Sequence, residues 1–447
     1  MNYVIMAGQL MLSLSILIVL HEMGHFLPAR LFNTRVEKFY LFFDPWFSLF
    51  KYKKGETEYG IGWLPLGGYV KISGMIDESF DTDQMDQPPQ PWEFRSKPAW
   101  QRLVIMLGGV TVNFILGFFI YGMVLWVWGE EYLPNDNIKY GIYVDSLGQE
   151  MGLRDGDHIL AVGGKPFVKF NDREVVREII INNAGSIELQ RDGEEKTIPI
   201  DPKFVGILSS HANKAKGLFG PRVPFIAAQL AKDSPAEKAG IQPDDKIIAF
   251  NGQPTPFFND FARLAQQNKN EKVTITAVRQ EKDTLQFEMV NTKEGKVGIY
   301  PYRPEDILGT QRQEYTLAEA LPAGVSKGMG FLNDQLKAFG QMFRGRIKAS
   351  ESLGGFGTIG SMFGYEWVWE RFWFMTAILS LILAFMNLLP IPALDGGHVM
   401  FLLYEVVTGR KPSDKFMEYA TMVGFIIVLA LVVYANGLDI FRSWFSK

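Results

Sequence analysis

Long apolar stretches with few or no charged residues alternate with mixed segments along this chain. Four such stretches are prominent: Val4–Leu27, Leu103–Trp128, Phe372–Leu389 and Tyr419–Tyr434. A helix needs about 20 residues to cross the hydrocarbon core of a membrane. The pattern therefore predicts a polytopic α-helical membrane protein whose four transmembrane helices lie within residues 1–28, 102–129, 371–398 and 416–437.

The first stretch differs from a cleaved signal peptide in two respects. No cluster of basic residues precedes it, and no cleavage site of the A-x-A type follows it. We therefore expect this stretch to remain as a membrane span.

Charged residues beside the four stretches predict their orientation. Basic residues follow the first stretch, precede the second and separate the third from the fourth: Arg30, Arg35, Lys38, Arg95, Lys97, Arg102, Arg410, Lys411 and Lys415. Acidic residues follow the second stretch and precede the third: Glu130, Glu131, Asp136, Glu366 and Glu370. The positive-inside rule then places the loops 29–101 and 390–418 in the cytoplasm, and both termini and the segment 130–370 outside.

The segment between the second and third stretches has the composition of a soluble protein and contains an internal repeat. Residues match at a constant offset of 88 positions, as Gly152 does with Gly240 and Asp157 with Asp245. In each copy a short helix ends at a glycine, an acidic turn follows, and an alternating apolar run predicts a strand. One duplicated β-rich module, covering 138–215 and 222–303, explains this pattern most simply.

The composition excludes several kinds of site. The chain has no cysteine, which excludes disulfides, zinc–thiolate sites and cysteine nucleophiles. The formal net charge of -4 gives no reason to expect a nucleic-acid partner. A metal site therefore has to combine carboxylates with the five histidines, which are His21, His25, His158, His211 and His398.

The pattern H-E-x-x-H, formed by His21, Glu22 and His25, lies at the end of the first stretch. Side chains four positions apart share one face of a helix, so both imidazoles can reach one metal ion. Glu22 can then act as the general base toward a water molecule on that ion. Ionisable residues are costly within a membrane span, which indicates a functional site. The alternative is an interfacial turn whose polar side chains reach the lipid headgroups.

A second polar segment, 387–398, lies at the end of the third stretch and at the same predicted depth. Its two prolines interrupt the helix and its two glycines permit tight turns. Irregular backbone at this depth is tolerated where it lines a cavity or is enclosed by protein, although a plain interfacial loop is the alternative. Zinc catalysis needs a third protein ligand, and the residues leave two choices, Asp395 and His398.

The combination of these motifs resembles the site-2 protease family of intramembrane zinc metalloproteases. H-E-x-x-H in the first span is joined by N-x-x-P-x-P-x-L-D-G-G in a later one. The stretch SPAEKAGIQPDDKIIAFNGQP at 234–254 resembles a PDZ domain, and GQEMGLRDGDHILAVGGKP at 148–166 resembles a second. Two PDZ-like modules between the second and third spans are similar to the bacterial RseP-type branch, and the resemblance covers essentially the whole chain.

The resemblance implies roles that the residues alone leave open. It implies Asp395, rather than His398, as the third ligand of one zinc ion beside His21 and His25, with Glu22 as the catalytic base. It also implies that Asn387, Pro390 and Pro392 help to hold the substrate backbone.

Residues 58–76 resemble the membrane-re-entrant β-hairpin of that family, with two apolar strands around a Pro-Leu-Gly-Gly turn. Its edge would accept an extended substrate strand by β-augmentation, and a soluble cytoplasmic hairpin is the alternative. The substrate-binding residues predicted here are Gly67, Gly68, Tyr69, Val70 and Ile72. Residues 315–365 have helical apolar spacing, which fits either the membrane surface or ordinary packing.

The expected function is hydrolysis of peptide bonds in or next to the transmembrane segments of single-span proteins. The resemblance implies the bacterial inner membrane as the location. It also implies an anti-sigma factor already cleaved on its outer side, or signal-peptide remnants, as substrates, and extended peptides or C-termini as ligands of the PDZ-like modules. Two other classes remain open: a non-enzymatic PDZ-bearing membrane scaffold, and a metal transporter.

Overall fold

A computed structural model describes residues 2–65, 67–75, 88–210, 212–213 and 216–445. Leu66 and Ile76 of the predicted hairpin, and His211, lie outside the described residues. The chain divides into two compact units. The helical unit comprises Met1–Gly129, Glu314–Leu336 and Leu353–Lys447, and the β-rich unit comprises Glu130–Gln313 and Lys337–Ser352.

The helices of the described residues are α1 (Asn2–Leu31), α2 (Ala99–Trp128), α3 (Ser146–Glu150), α4 (Asp172–Asn182), α5 (Lys203–Ser209), α6 (Pro235–Ala239), α7 (Phe258–Gln267), α8 (Pro304–Leu308), α9 (Leu317–Phe343), α10 (Ala349–Ser352), α11 (Phe356–Phe363), α12 (Trp369–Asn387), α13 (Asp395–Thr408) and α14 (Asp414–Phe445). The strands are β1 (Val36–Leu41), β2 (Phe43–Lys54), β3 (Thr57–Leu64), β4 (Tyr69–Ile72), β5 (Glu130–Tyr132), β6 (Ile142–Val144), β7 (His158–Val162), β8 (Lys165–Pro166), β9 (Ser186–Arg191), β10 (Glu194–Pro199), β11 (Phe219–Pro221), β12 (Ala227–Leu230), β13 (Lys246–Phe250), β14 (Gln253–Pro254), β15 (Lys272–Arg279), β16 (Asp283–Val290), β17 (Ile299–Pro301) and β18 (Gln311–Gln313).

Four helices within the described residues, α1, α2, α12 and α14, are long and apolar enough to cross a membrane. They coincide with the four predicted stretches. The observed helix boundaries differ from the predicted ones at α14 and at the third stretch. The helix α14 extends beyond 416–437 because its polar flanks are compatible with a helix although not with hydrocarbon. The predicted segment 371–398 is divided, since α12 ends at Asn387 before the two prolines and α13 begins at Asp395.

Glycines allow α1 and α2 to approach closely in the helical unit. A methyl group on Gly24 of α1 would lie 2.5 Å from the carbonyl oxygen of Gly108 on α2. Small residues that bring backbones together are typical of helix interfaces in membranes. Hydrogen bonds between helices reinforce the bundle: Thr376 of α12 donates to Ser13 at 2.9 Å, and Ser380 donates to the Asn113 carbonyl of α2 at 2.7 Å.

The first half of α9 packs against α2 through a second pair of glycines. A methyl group on Gly324 would lie 2.6 Å from the Cα atom of Gly122. Of the two interpretations of residues 315–365, packing against a neighbouring helix therefore describes this part of α9.

A mixed four-stranded sheet with the order β2-β3-β1-β4 belongs to the helical unit. This order corrects the predicted hairpin at 58–76. Strands β3 and β4 do not pair with each other, because β1 lies between them, parallel to β3 and antiparallel to β4. The antiparallel hairpin is formed by β2 and β3 instead. The strands β1 and β2 are not apparent from the sequence pattern, because their pairing partners are set by non-local contacts. The predicted strand at Tyr69–Ile72 is present as β4, at one edge of the sheet.

The β-rich unit contains the same arrangement twice. The sheets β10-β9-β7-β8 and β16-β15-β13-β14 have equivalent strand orders, and each copy adds a two-stranded sheet, β11-β6 or β17-β12. Each copy encloses its own core, one around Ile187 and Leu189 and the other around Ile275 and Phe250.

A buried ion pair recurs at equivalent positions of the two copies. Arg191 of β9 and Arg279 of β15 each form two hydrogen bonds to a nearly inaccessible carboxylate, Asp157 or Asp245, at 2.7–2.8 Å. Each arginine also donates to the carbonyl of the helix-ending glycine, Gly152 or Gly240. The acidic residue of the sequence repeat therefore fixes the turn before its strand by the same contacts in both copies.

Candidate metal centre

The helix α1 places His21 and His25 one turn apart on the same face. Their imidazole rings are nearly perpendicular, with centroids 4.9 Å apart and an angle of 81° between the planes. Their Nε2 atoms converge at 3.3 Å. This is the geometry that the H-E-x-x-H spacing predicts for two nitrogen ligands of one ion.

The third group of the cluster, Asp395, is the first residue of α13. The irregular segment between α12 and α13 orients the Asp395 side chain toward the two histidines, because the chain turns sharply before α13 begins. Ala393 has a φ of 95°, a left-handed conformation that side chains rarely adopt. Side chains at Gly396 and Gly397 would collide with the backbone of residues 388–392. The two glycines of the L-D-G-G pattern are therefore required for this tight turn.

Three potential ligand atoms meet at nearly equal distances. Asp395 Oδ2 lies 3.3 Å from His21 Nε2 and 3.4 Å from His25 Nε2. Ligand atoms about 2.0–2.1 Å from a tetrahedral zinc ion are about 3.3–3.4 Å from one another, so the spacing fits zinc. Oδ2 is also buried and has no hydrogen-bond donor among the residues that the structure describes, as expected for an oxygen that faces a cation. His398 is not part of this cluster.

The helix α2 makes room for the two imidazoles at Gly109. A methyl group there would overlap His25 Nε2 and would lie 2.7 Å from His21 Cε1. The sequence motifs assign no role to α2 in the site. The one sequence signal is the pair Gly108-Gly109 within an otherwise bulky apolar span.

Hydrogen bonds to α2 and α12 orient the imidazoles. His25 Nδ1 lies 2.9 Å from the carbonyl oxygen of Ile105, so it donates there and leaves the Nε2 lone pair facing the cluster. His21 has amide groups on both sides: Asn113 Nδ2 is 3.2 Å from Nδ1, and Asn387 Nδ2 is 3.3 Å from Nε2. Asn387 was predicted as a substrate-binding residue, whereas Asn113 was not singled out.

Glu22 lies between the cluster and the sheet. Its carboxylate faces the backbone N–H of Val70 in β4. A methyl group on the neighbouring Gly68 would lie 3.5 Å from Glu22 Cγ and 2.5 Å from Ile18. The strand β4 therefore runs beside the cluster, and its N–H edge at Val70 points toward the predicted general base.

The remaining predicted residues lie in the turn after α12 and along β4. Pro390 and Pro392 lie in the turn between α12 and α13, where a methyl group on Gly397 would be 2.5 Å from Pro392 Cα. Gly67, Gly68 and Tyr69 lie at and before the start of β4. Ile72 is buried in a core with Val36 and Ile105, so its side chain faces the protein interior.

Comparison with known proteins identifies the family of the chain. The family model described as "Peptidase family M50" matches residues 9–431. The chain is 26% identical to the "Regulator of sigma E protease" of Haemophilus influenzae, over 99% of this chain and 100% of the relative. It is 27% identical to the "Regulator of sigma-E protease RseP" of Salmonella typhimurium, over 97% of both chains.

A third relative, from Neisseria meningitidis, is 28% identical over 96% of this chain and 97% of its own length, and its name describes it provisionally as a zinc metalloprotease. The family match covers almost the entire chain, including the helices that carry the cluster. This chain therefore belongs to peptidase family M50, and it is an intramembrane zinc metalloprotease.

Proposed function

We propose that His21, His25 and Asp395 hold one zinc ion and that Glu22 is the general base for hydrolysis of peptide bonds in or next to transmembrane segments. The convergence of two Nε2 atoms and one carboxylate oxygen at 3.3–3.4 Å carries this proposal. A zinc ion held by these residues would lower the pKa of a water molecule to about 7 and polarise the scissile carbonyl group. Glu22 would accept a proton from the attacking water and deliver it to the leaving nitrogen.

Substrate binding is proposed at the edge of β4 and at Asn387. A peptide bond in a transmembrane helix is protected by hydrogen bonds within that helix, so the substrate has to unwind locally. Its freed backbone groups then need partners in a medium without water. The edge of β4 supplies such groups next to Glu22, and the substrate strand would add there by β-augmentation. Asn387, Pro390 and Pro392 would hold the chain on the side of α12.

The sheet itself is proposed to lie at the membrane. Trp46 is 91% exposed, and Phe47 and Phe50 of the same strand are also exposed. Lys51, Lys53 and Lys54 follow in that strand. Aromatic and basic residues in this combination favour the interface between lipid and water.

Single-span membrane proteins are the proposed substrates. Two relatives are named as regulators of sigma E, and an anti-sigma factor is the substrate that we propose for this chain. We also propose that the substrate is shortened on its outer side before this enzyme cleaves it. Signal-peptide remnants are proposed as a second class of substrate.

The two modules of the β-rich unit are proposed to be PDZ-like domains outside the cytoplasm, in 138–215 and 222–303. The proposed location is the bacterial inner membrane, with both termini outside, as the basic loops indicate. The first module extends beyond its predicted end at 215, because β11 (Phe219–Pro221) pairs with β6. In each copy the two-stranded sheet, β11-β6 or β17-β12, would receive an extended peptide or a C-terminus. The modules would exclude substrates that retain a bulky outer domain.

The decisive experiment compares zinc content with cleavage of a model transmembrane substrate by the purified full-length chain. The Glu22→Gln variant should retain zinc and lose cleavage, because an amide cannot accept the proton while both imidazoles remain. Glu150→Gln, at an exposed carboxylate of the β-rich unit, is the matched control and should cleave normally. Cleavage by a zinc-loaded Glu22→Gln variant would refute the role of Glu22.

The same measurements separate the other two classes. A scaffold predicts that the wild-type chain neither cleaves nor needs zinc. A transporter predicts zinc movement across liposomes without hydrolysis.

A further inference from the structure

We propose that Asn113 of α2 is a positioning residue that accepts a hydrogen bond from His21 Nδ1 and thereby keeps the His21 Nε2 lone pair directed at the metal site. The inference rests on the proposed zinc site. It concerns a residue for which the sequence motifs assign no role.

The neighbouring histidine shows what a ligand in this cluster requires. His25 Nδ1 is 2.9 Å from the Ile105 carbonyl oxygen, which can only accept a hydrogen bond. The proton of His25 is therefore on Nδ1, and Nε2 has a free lone pair toward Asp395 and His21. A neutral imidazole that binds a metal through Nε2 always carries its proton on Nδ1, and that N–H needs an acceptor.

The only amide beside His21 Nδ1 among the described residues is that of Asn113. Its Nδ2 is 3.2 Å from His21 Nδ1, while its Oδ1 is buried and has no hydrogen-bond partner within the described part of the chain. The two ends of an amide have almost the same shape, and a half turn about χ2 exchanges them. After that half turn, Oδ1 faces Nδ1 at the same position and accepts its proton.

The opposite orientation of the amide is incompatible with a ligand role for His21. If Nδ2 donates to Nδ1, the imidazole proton resides on Nε2, where it points at Asp395 Oδ2, 3.3 Å away. The nitrogen that should bind the ion is then blocked by its own proton. The orientation of one buried amide thus decides whether His21 presents a lone pair or a proton to the site.

Asn113 is held rigidly enough to play this part. Its side chain is 1% exposed, and its backbone carbonyl accepts a hydrogen bond from Ser380 of α12 at 2.7 Å. Asn387 cannot replace it, because its amide lies 3.3 Å from Nε2, the other nitrogen of the ring. A buried amide in an uncharged span is also costly unless it has a partner, which argues against a passive role.

The test measures zinc affinity by chelator competition in the purified full-length chain, with Glu22→Gln as the background so that catalysis does not influence the result. Asn113→Leu and Asn113→Ala remove the acceptor and should weaken zinc binding about 10- to 100-fold. Asn113→Asp retains only acceptor oxygens and should bind zinc at least as tightly as the parent. Thr376→Val removes a different buried polar group from the same bundle and should leave zinc affinity unchanged.

The outcomes distinguish this inference from the proposed function. If the parent chain binds no zinc, the metal site itself is wrong. If the parent binds zinc and Asn113→Leu and Asn113→Ala bind it equally well, Asn113 has no positioning role. If Asn113→Asp is as defective as the alanine variant, the amide acts through its N–H groups, and the inference is overturned. Thermal unfolding of each variant shows whether a lower zinc affinity results from unfolding of the protein. The alanine variant is included because leucine is bulkier than asparagine and could disturb the packing.

Discussion

Arg102, near the start of α2, forms a hydrogen-bonded ion pair with Glu405 on α13. Both side chains are largely buried, and the guanidinium also donates to the carbonyl of Lys97 at 2.9 Å. Because α13 begins with Asp395, this pair ties the helix that carries the carboxylate to the helix that encloses the imidazoles.

Arg102→Ala should destabilise the chain by about 3–5 kcal/mol, because Glu405 would be left buried without a counter-charge. The measurement is thermal unfolding in detergent micelles, with zinc content determined on the same sample. The double variant Arg102→Met with Glu405→Met removes both charges and should recover most of the stability. Equal stability of Arg102→Ala and wild type would show that the pair does not anchor α13.

Asp395→Asn should weaken zinc binding and abolish cleavage, since the amide lacks the charge that a carboxylate brings to the ion. His398→Ala is the matched control on the same helix, and it should keep both zinc and activity because His398 is outside the cluster. Metal analysis of the two purified variants checks the prediction. Loss of zinc from the His398 variant alone would reverse the choice of third ligand.

Gly109→Ala should reduce zinc affinity by an amount equivalent to about 1–3 kcal/mol, because the added methyl group overlaps the imidazoles in a closely packed interface. Gly8→Ala is a suitable control, since a methyl group at Gly8 of α1 would have no atom of the described residues within 4 Å. Chelator competition with both variants provides the comparison. Unchanged affinity in Gly109→Ala would mean that α2 does not define the space around the ligands.

Val70→Pro should impair cleavage of helical transmembrane substrates while leaving zinc content unchanged. Proline removes the N–H that faces Glu22 at the edge of β4. Val70→Ala retains this N–H and should cleave much more efficiently than the proline variant. Strand addition at β4 is excluded if both variants cleave as well as wild type.

Replacing roughly residues 140–300 by a short Gly/Ser linker should leave the zinc site intact, because its ligands all belong to the helical unit. If the PDZ-like modules exclude bulky substrates, the shortened enzyme should cleave proteins that retain a large outer domain. Cleavage of a pre-shortened substrate should change little. The comparison requires long and short substrates with both enzyme forms at equal expression. Persistent discrimination would place the size filter in the membrane part.

Local patterns were sufficient for part of this architecture. Uncharged stretches predict α1, α2, α12 and α14, and the offset between Asp157 and Asp245 predicts two equivalent modules. These features depend on composition and on short-range spacing, which are visible in a single sequence.

Non-local contacts account for what the sequence analysis missed. Nothing near Val36 indicates that β1 would lie between β3 and β4, because strand order depends on tertiary packing. Similarly, Asn113 is visible as a polar residue in an uncharged span, but its approach to His21 depends on the way α2 crosses α1. The choice between Asp395 and His398 depends on the turn at Ala393, and the residues alone do not determine that turn.

The close contact between Gly24 and Gly108 also bears on biosynthesis. When α1 enters the bilayer, no other helix surrounds its two imidazoles and its carboxylate. Insertion of α2 then shields these groups from lipid and provides the Ile105 carbonyl as an acceptor for His25. The proposed third ligand, Asp395, is translated much later, after the β-rich unit and α12. A nascent chain in which only the first two helices have been inserted therefore contains the base and two nitrogens but no complete metal site. Proteolytic activity can therefore arise only after Asp395 has been translated, so a chain in which only the first helices are inserted cannot cleave neighbouring membrane proteins.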